Sequence, residues 1–115
     1  MAYQNVVGNR LAQAEGTTSY VTIYTVPLAT RTYVKNIDIC NTNGSTARFY
    51  IHLIPKPTTG VPTADVSNAL FYNAPINGNT TVQWTGSDIL TPGDIIQIKA
   101  STSGIAVTIT GGEAT

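Results

Sequence analysis

Hydrophobic and polar residues alternate along most of the chain in short runs rich in Val, Ile, Tyr and Thr, separated by Gly, Pro, Asn or Ser. Such alternation is typical of β-strands with one buried face, whereas an amphipathic helix needs apolar residues three and four positions apart. Only residues 10–15 weakly fit the helical spacing. The pattern predicts strands at residues 20–26, 32–40, 47–54, 69–73, 80–85, 95–100 and 105–110, with a short additional strand around residues 4–7.

The predicted strand at residues 47–54 shows the alternation most clearly. Every second residue from Phe49 to Leu53 is apolar, and the residues between them, including His52, are polar. Side chains on a strand point to opposite faces in turn, so one face is expected to enter the core and the other to meet solvent. Ile95 is apolar but falls on the polar face of its own predicted strand. We expect it either at the end of the strand or against a neighbouring subunit.

Turn residues separate the predicted strands. Asn43-Gly44 and Asn77-Gly78 suit tight turns that need positive φ, and Pro92-Gly93-Asp94 places proline and glycine in turn order. One connection, residues 55–67, is long and holds three prolines. Loops of that length without secondary structure are often functional, so we expect it to contact a partner.

These observations predict an all-β chain that forms a single-domain antiparallel β-sandwich, jelly-roll-like, with seven or eight strands. The length of 115 residues suits one hydrophobic core. We expect residues 1–18 to form an N-terminal arm or extended segment, residues 19–111 the sandwich domain, and residues 112–115 a flexible C-terminal tail.

The charge content of the sequence limits the classes of partner that the chain is expected to bind. Lys+Arg is 6 and Asp+Glu is 6, so charged residues make up 10% of the chain and the formal net charge is zero. No basic surface is available to neutralise phosphates, which argues against binding to nucleic acid or to an anionic membrane. Weak charge also means weak self-repulsion, which favours a homo-oligomer or a larger assembly. The N-terminal residues do not resemble a signal peptide, and no apolar run is long enough to span a membrane.

Candidate catalytic chemistry is sparse. A hydrolytic triad would need His52, the only histidine, and Cys40 lies on a neighbouring predicted strand. We interpret Cys40 instead as a small core residue and His52 as an exposed strand residue. The carboxylates fall singly in predicted turns, so we expect no metal site, although Asp88 and Asp94 flank one turn and could form a weak calcium site. The sequence therefore predicts no enzyme and no cofactor.

Most of the aromatic side chains are expected to pack within the sheets, and Tyr50 and Trp84 are the ones expected to be exposed in part. A patch of outward tyrosines could stack on a sugar or anchor a partner protein.

Two stretches resemble small virion proteins of tailed bacteriophages. The first is Tyr24-Thr25-Val26-Pro27 followed by a strand that ends in Cys40-Asn41-Thr42, and the second is the turn Leu90-Thr91-Pro92-Gly93-Asp94. The resemblance covers about residues 20–111 and implies a β-sandwich. Proteins of this kind are head decoration or cement proteins, or components of tails and fibres, and the resemblance implies no catalytic residues.

The resemblance and composition together predict a non-enzymatic virion structural protein, assembled in the host cytoplasm. We favour a capsid decoration or cement protein that binds the major capsid protein or other virion proteins. The alternatives are a tail, collar or fibre component, for which an aromatic patch could contact a host glycan, and a free carbohydrate-binding or adhesion module. The candidate protein-contact residues are Tyr3, Arg10, Lys56, Asp65 and Tyr72.

Overall fold

A computed structural model describes residues 6–115. They form eight strands and one short 3-10 helix, Val66–Asn68. The strands are β1 Val6–Gly16, β2 Val21–Thr25, β3 Arg31–Asn41, β4 Ala47–Ile54, β5 Ala69–Ile76, β6 Thr80–Leu90, β7 Ile95–Ala100 and β8 Ile105–Ala114. The predicted all-β class is confirmed.

The strands form two antiparallel sheets packed face to face. Sheet I has the order β1-β8-β3-β6, and sheet II has the order β2-β7-β4-β5. Each inner face is lined by β-branched and aromatic residues, which suit a half-buried pleated surface. The largest fully buried side chains of this core include Phe49, Ile37, Ile39, Ile51, Ile96, Ile98 and Ile109. The alternation predicted for residues 47–54, 95–100 and 105–110 therefore places the core as expected.

Strand β1 differs from the sequence prediction. Residues 10–15, the weak helix candidate, lie inside an edge strand that pairs with β8 over its whole length. Ala, Gln and Glu favour a helix locally, but Gln13 and Glu15 are exposed while Gly16 is buried, which is the alternation of a strand. Ten residues of backbone pairing outweigh a weak local preference. Within the expected N-terminal arm, residues 6–16 therefore belong to sheet I.

The C-terminal residues also differ from expectation. Strand β8 continues to Ala114, so residues 112–114 of the expected tail pair with residues 6–8 of β1. Ala114 and Gly112 are buried. Glycines and a charged residue weaken the strand signal here, but pairing on both sides by β1 and β3 holds the segment in the sheet.

Tyr24 of β2 joins the two sheets near this C-terminal segment. Its hydroxyl donates a hydrogen bond of 2.6 Å to Oε2 of Glu113 and lies 2.8 Å from Oγ1 of the buried Thr32. Burial, followed by the bond to Glu113, raises the pKa of Tyr24 to about 12. The link is present while the phenol keeps its proton.

Replacing Tyr24 with Phe is expected to lower the free energy of unfolding by about 1–2 kcal/mol at neutral pH, because Oε2 of Glu113 loses the donor provided by the Tyr24 hydroxyl. The folded-state pKa is raised, so the stabilisation is complete below pH 10 and is lost as the pH rises towards about 12. Urea unfolding of both proteins at a series of pH values measures this. A difference that grows between pH 10 and 12 would contradict the account.

Candidate functional site

A row of polar and aromatic side chains crosses the outer face of sheet II. Tyr20 precedes β2, Lys99 lies on β7, Tyr50 on β4 and Tyr72 on β5. Tyr50 is directly opposite Lys99 in the β4–β7 register. The alternation that sends Phe49 and Ile51 into the core leaves Tyr50 on the outer face, as the sequence predicts.

The rings of this row contact one another edge to face. The ring centroids of Tyr20 and Tyr50 are 6.1 Å apart, and those of Tyr50 and Tyr72 are 5.2 Å apart at an interplanar angle of 89°. Nζ of Lys99 lies 5.2 Å from the Tyr20 centroid and 5.1 Å from the Tyr50 centroid. The ammonium is therefore within cation–π distance of both rings.

His52 lies in the next row of the same face, where it is only 1% exposed. Its Nε2 is 3.0 Å from the Tyr20 hydroxyl, and its Nδ1 is 2.7 Å from Oδ1 of Asn68. That Oδ1 also accepts the N–H of Asp65, while Nδ2 of Asn68 donates to the carbonyl of Thr63. Since Oδ1 is thus an acceptor, Nδ1 of His52 carries a proton and donates to it, while Nε2 faces the Tyr20 hydroxyl.

The expectation that His52 is exposed is therefore wrong. The connection from residue 55 to residue 68 folds back over the outer face of sheet II, and its 3-10 helix places Asn68 against the imidazole. Asp65 caps that helix, with a carboxylate oxygen accepting the N–H of Val66 at 2.7 Å. The capping box fixes the returning segment at the point where it covers His52.

The returning segment and the aromatic row enclose a hollow of about 310 Å³. Its volume is at the lower end of the range for small-molecule sites. We refer to it as the tyrosine hollow. It is lined by Tyr20, Tyr50, His52, Ala64, Asp65, Val66, Tyr72 and Lys99.

The hollow is poorly suited to nucleophilic catalysis. Both nitrogens of His52 already have hydrogen-bond partners. Burial, followed by the neighbouring Tyr72 and Tyr50, raises the pKa of Tyr20, so its phenol stays protonated. Cys40 is half-buried on sheet I and His52 lies on sheet II, so the two do not form the pair considered from the sequence.

The buried carboxylate of Asp94 accepts hydrogen bonds from backbone N–H groups. Asp94 is buried, and its carboxylate accepts the N–H groups of Lys56 and Thr91, both at 2.8 Å. Across residues 6–115, no three His, Cys, Asp or Glu side chains are grouped closely enough to hold a metal ion. The weak calcium site considered at Asp88 and Asp94 has no such group around it.

A second surface feature lies where β1 begins and β6 and β8 end. Val6 of β1 and Arg31 of β3 are both opposite Ala114, and Leu90 of β6 is opposite Thr32, so these strand ends lie at the same end of sheet I. Four large apolar side chains are exposed near this end of the domain, and we call this set of residues the apolar end. They are Val6 and Val7, each 62% exposed, Leu28 at 85% and Ile89 at 55%.

The structure places the predicted contact residues in different parts of the domain. Asp65 and Tyr72 meet at the tyrosine hollow. The backbone of Lys56 is bonded to the β6–β7 turn next to the apolar end. Arg10 is exposed on β1 and donates to Gln13. Tyr3 lies outside the described residues.

Sequence reasoning missed Tyr20 and Lys99. Tyr50 and Trp84 are exposed in part, as expected, but Tyr72 is more exposed, at 58%. The signal available was the outward phase of Tyr50 on its strand, but the register that aligns it with Lys99 is a tertiary property. Ile95, left open between a strand mouth and a subunit contact, is only 7% exposed within the chain itself.

Comparison with known proteins identifies the architecture. No family model and no curated protein matches the chain. Among solved structures, infectious bursal disease virus, Gx strain, has a chain that matches at a TM-score of 0.54 and 9% identity. A chain of the T13 IBDV viral particle matches at a TM-score of 0.52 and 10% identity. The chain thus has a jelly-roll-like β-sandwich fold, which is similar to that of these viral chains. Both matches cover 96% of this chain but only 32% and 30% of the viral chains, so it spans about a third of their length.

A bacterial filament subunit has the same fold. The structure titled "Bacillus endospore appendages form a novel family of disulfide-linked pili" matches at a TM-score of 0.54 and 10% identity. The match covers 100% of this chain and 94% of the pilus chain. No helix in residues 6–115 has the length and apolar character needed to cross a membrane.

Proposed function

We propose that the chain is a non-enzymatic structural protein of a bacteriophage virion, a decoration or cement protein that binds the major capsid lattice and stabilises the shell. The observation that carries the proposal is the apolar end, where Leu28 and three other large apolar side chains are exposed near one end of a weakly charged domain. Large apolar side chains exposed near one end of a domain are candidates for a protein contact surface. The jelly-roll likeness to viral chains supports the same role.

The physical logic of this role is multivalency. A domain of this size offers a small contact at one end, so a single contact is weak. Many copies on a regular lattice, or copies joined in a homo-oligomer, sum such contacts into stable attachment. Lys56, whose backbone is bonded to the β6–β7 turn beside the apolar end, and Arg10, further along β1 from Val6 and Val7, are the candidate polar contacts around it.

Leu28→Asp is expected to weaken binding to particles at least about tenfold, because a carboxylate would be buried without a partner at the centre of the contact. The test adds purified protein to particles from a strain that lacks the gene and measures bound protein after sedimentation. Thr18→Asp is the matched control, since it adds the same charge at the opposite end, before β2. It is expected to bind as the original protein does.

Two results would overturn the proposal. One is binding of Leu28→Asp at the original affinity. The other is that particles lacking the protein resist heat and low ionic strength as well as complete particles do.

A second candidate is a tail, collar or fibre component. It is favoured by the pilus subunit, which matches this chain over almost the whole length of both. The position of the chain on the particle, seen by labelling, separates the two candidates. Labelling at one vertex would support a tail or collar protein, whereas labelling across the shell would support a decoration protein.

A further inference from the structure

We propose that the tyrosine hollow binds one neutral pyranose ring. The inference goes beyond the proposed function and stands without it, because the hollow lies on the outer face of sheet II and the apolar end carries the capsid contact. Tyr72 supplies the platform, since it is 58% exposed and stays in contact with Tyr50. The hollow's volume of about 310 Å³ suits a ligand the size of one ring.

The lining matches the two kinds of surface on a pyranose. One face of such a sugar presents C–H groups that pack on an aromatic ring, and its rim presents hydroxyls. The Tyr72 ring meets the first requirement. The carboxylate of Asp65 accepts and the ammonium of Lys99 donates at the rim, and both line the hollow.

Charge argues for a neutral ligand. Nζ of Lys99 already lies over the rings of Tyr20 and Tyr50, so a second cation would meet repulsion at the faces that attract it. An anionic sugar would gain from Lys99 but would be repelled by Asp65. A neutral sugar uses both groups without either penalty.

The floor of the hollow is held in place before a ligand arrives. His52 links Tyr20 to Asn68, and Asn68 is fixed by Asp65 and Thr63. A floor whose hydrogen bonds are already made loses little side-chain freedom on binding, so weak contacts to a small sugar suffice.

The test is a titration of the isotopically labelled full chain, followed by amide chemical shifts. The probes are methyl α-D-glucopyranoside, methyl β-D-galactopyranoside and methyl N-acetyl-β-D-glucosaminide. The methyl glycoside of sialic acid and tetramethylammonium serve as the anionic and cationic arms. We expect saturable shifts with at least one neutral glycoside, confined to residues 64–66, Tyr72, Lys99 and their neighbours.

Tyr72→Ala is expected to weaken the binding at least tenfold, and its exposed position means that the fold is kept. Asp65→Asn is a second variant that keeps a helix-capping residue while removing the charge, and it is expected to weaken binding severalfold. Tyr33→Ala is the control, because it removes a half-buried tyrosine from sheet I. It is expected to bind normally.

The proposal is overturned if no neutral glycoside shifts these amides, if Tyr72→Ala binds as the original does, or if an anionic or cationic probe binds more tightly. Loss of particle binding in Leu28→Asp with intact sugar shifts would show that the two surfaces act separately. Particle binding without any sugar shift would overturn this inference and leave the capsid role standing.

Discussion

Asn41→Ala is expected to lower the free energy of unfolding by about 3 kcal/mol, because it leaves buried backbone groups without partners. Asn41 is fully buried at the end of β3. Its Nδ2 lies 2.9 Å from the carbonyl oxygen of Ser45 and 3.0 Å from that of Ile76, and its Oδ1 accepts the N–H of Asn43 at 2.9 Å. One side chain thus joins the turn after β3 to the turn after β5.

The measurement is urea unfolding at neutral pH. Asn36→Ala is the matched control on the same strand, since Asn36 is half-buried and donates only to Asp38. The control is expected to cost about 0.5 kcal/mol or less. Equal losses for the two variants would contradict the role assigned to Asn41.

Gly111→Ala is expected to cost about 3 kcal/mol, because the added methyl group has no space. Gly111 lies on β8 beside the irregularity that shifts the β3–β8 register between Val34 and Asn36. A Cβ built there falls well inside van der Waals contact with the carbonyl oxygen of Tyr33, which is backbone and cannot rotate away. The strands would have to separate at this point.

Gly8→Ala is the matched control for Gly111→Ala. Gly8 is on the adjacent strand β1, and the nearest atom to its Cβ is 4.0 Å away. We expect no loss, or a gain of up to about 1 kcal/mol from reduced freedom of the unfolded chain. If Gly111→Ala unfolds at the same urea concentration as Gly8→Ala, the claim that β3 approaches β8 too closely at Gly111 to admit a side chain is wrong.

Much of the sandwich could be predicted because its inner strands alternate in phase. The apolar positions of strands β4, β7 and β8 lie in the core, as their patterns indicate. They are Phe49, Ile51, Ile96, Ile98, Ala100, Ile105, Val107 and Ile109. The edge strand β1 could not be predicted, since its Ala, Gln and Glu residues carry weak strand propensity. Its structure comes from pairing with β8, which is distant in sequence.

The site was only partly predictable for the same reason. The phase of residues 47–54 places Tyr50 and His52 outward, and Asp65 and Tyr72 were singled out from the sequence. The burial of His52 depends on the connection folding back until Asn68 reaches the imidazole. No local pattern encodes that return, which rests on a capping box and on contacts between segments far apart in the chain.

Electron cryomicroscopy of intact particles from cells that make this chain tests the central proposal most directly. The account predicts density for the eight-stranded sandwich at regular lattice positions across the shell, with Leu28 and the rest of the apolar end facing the major capsid protein. Particles that contain no copy of the chain, while the protein accumulates outside them, would contradict it.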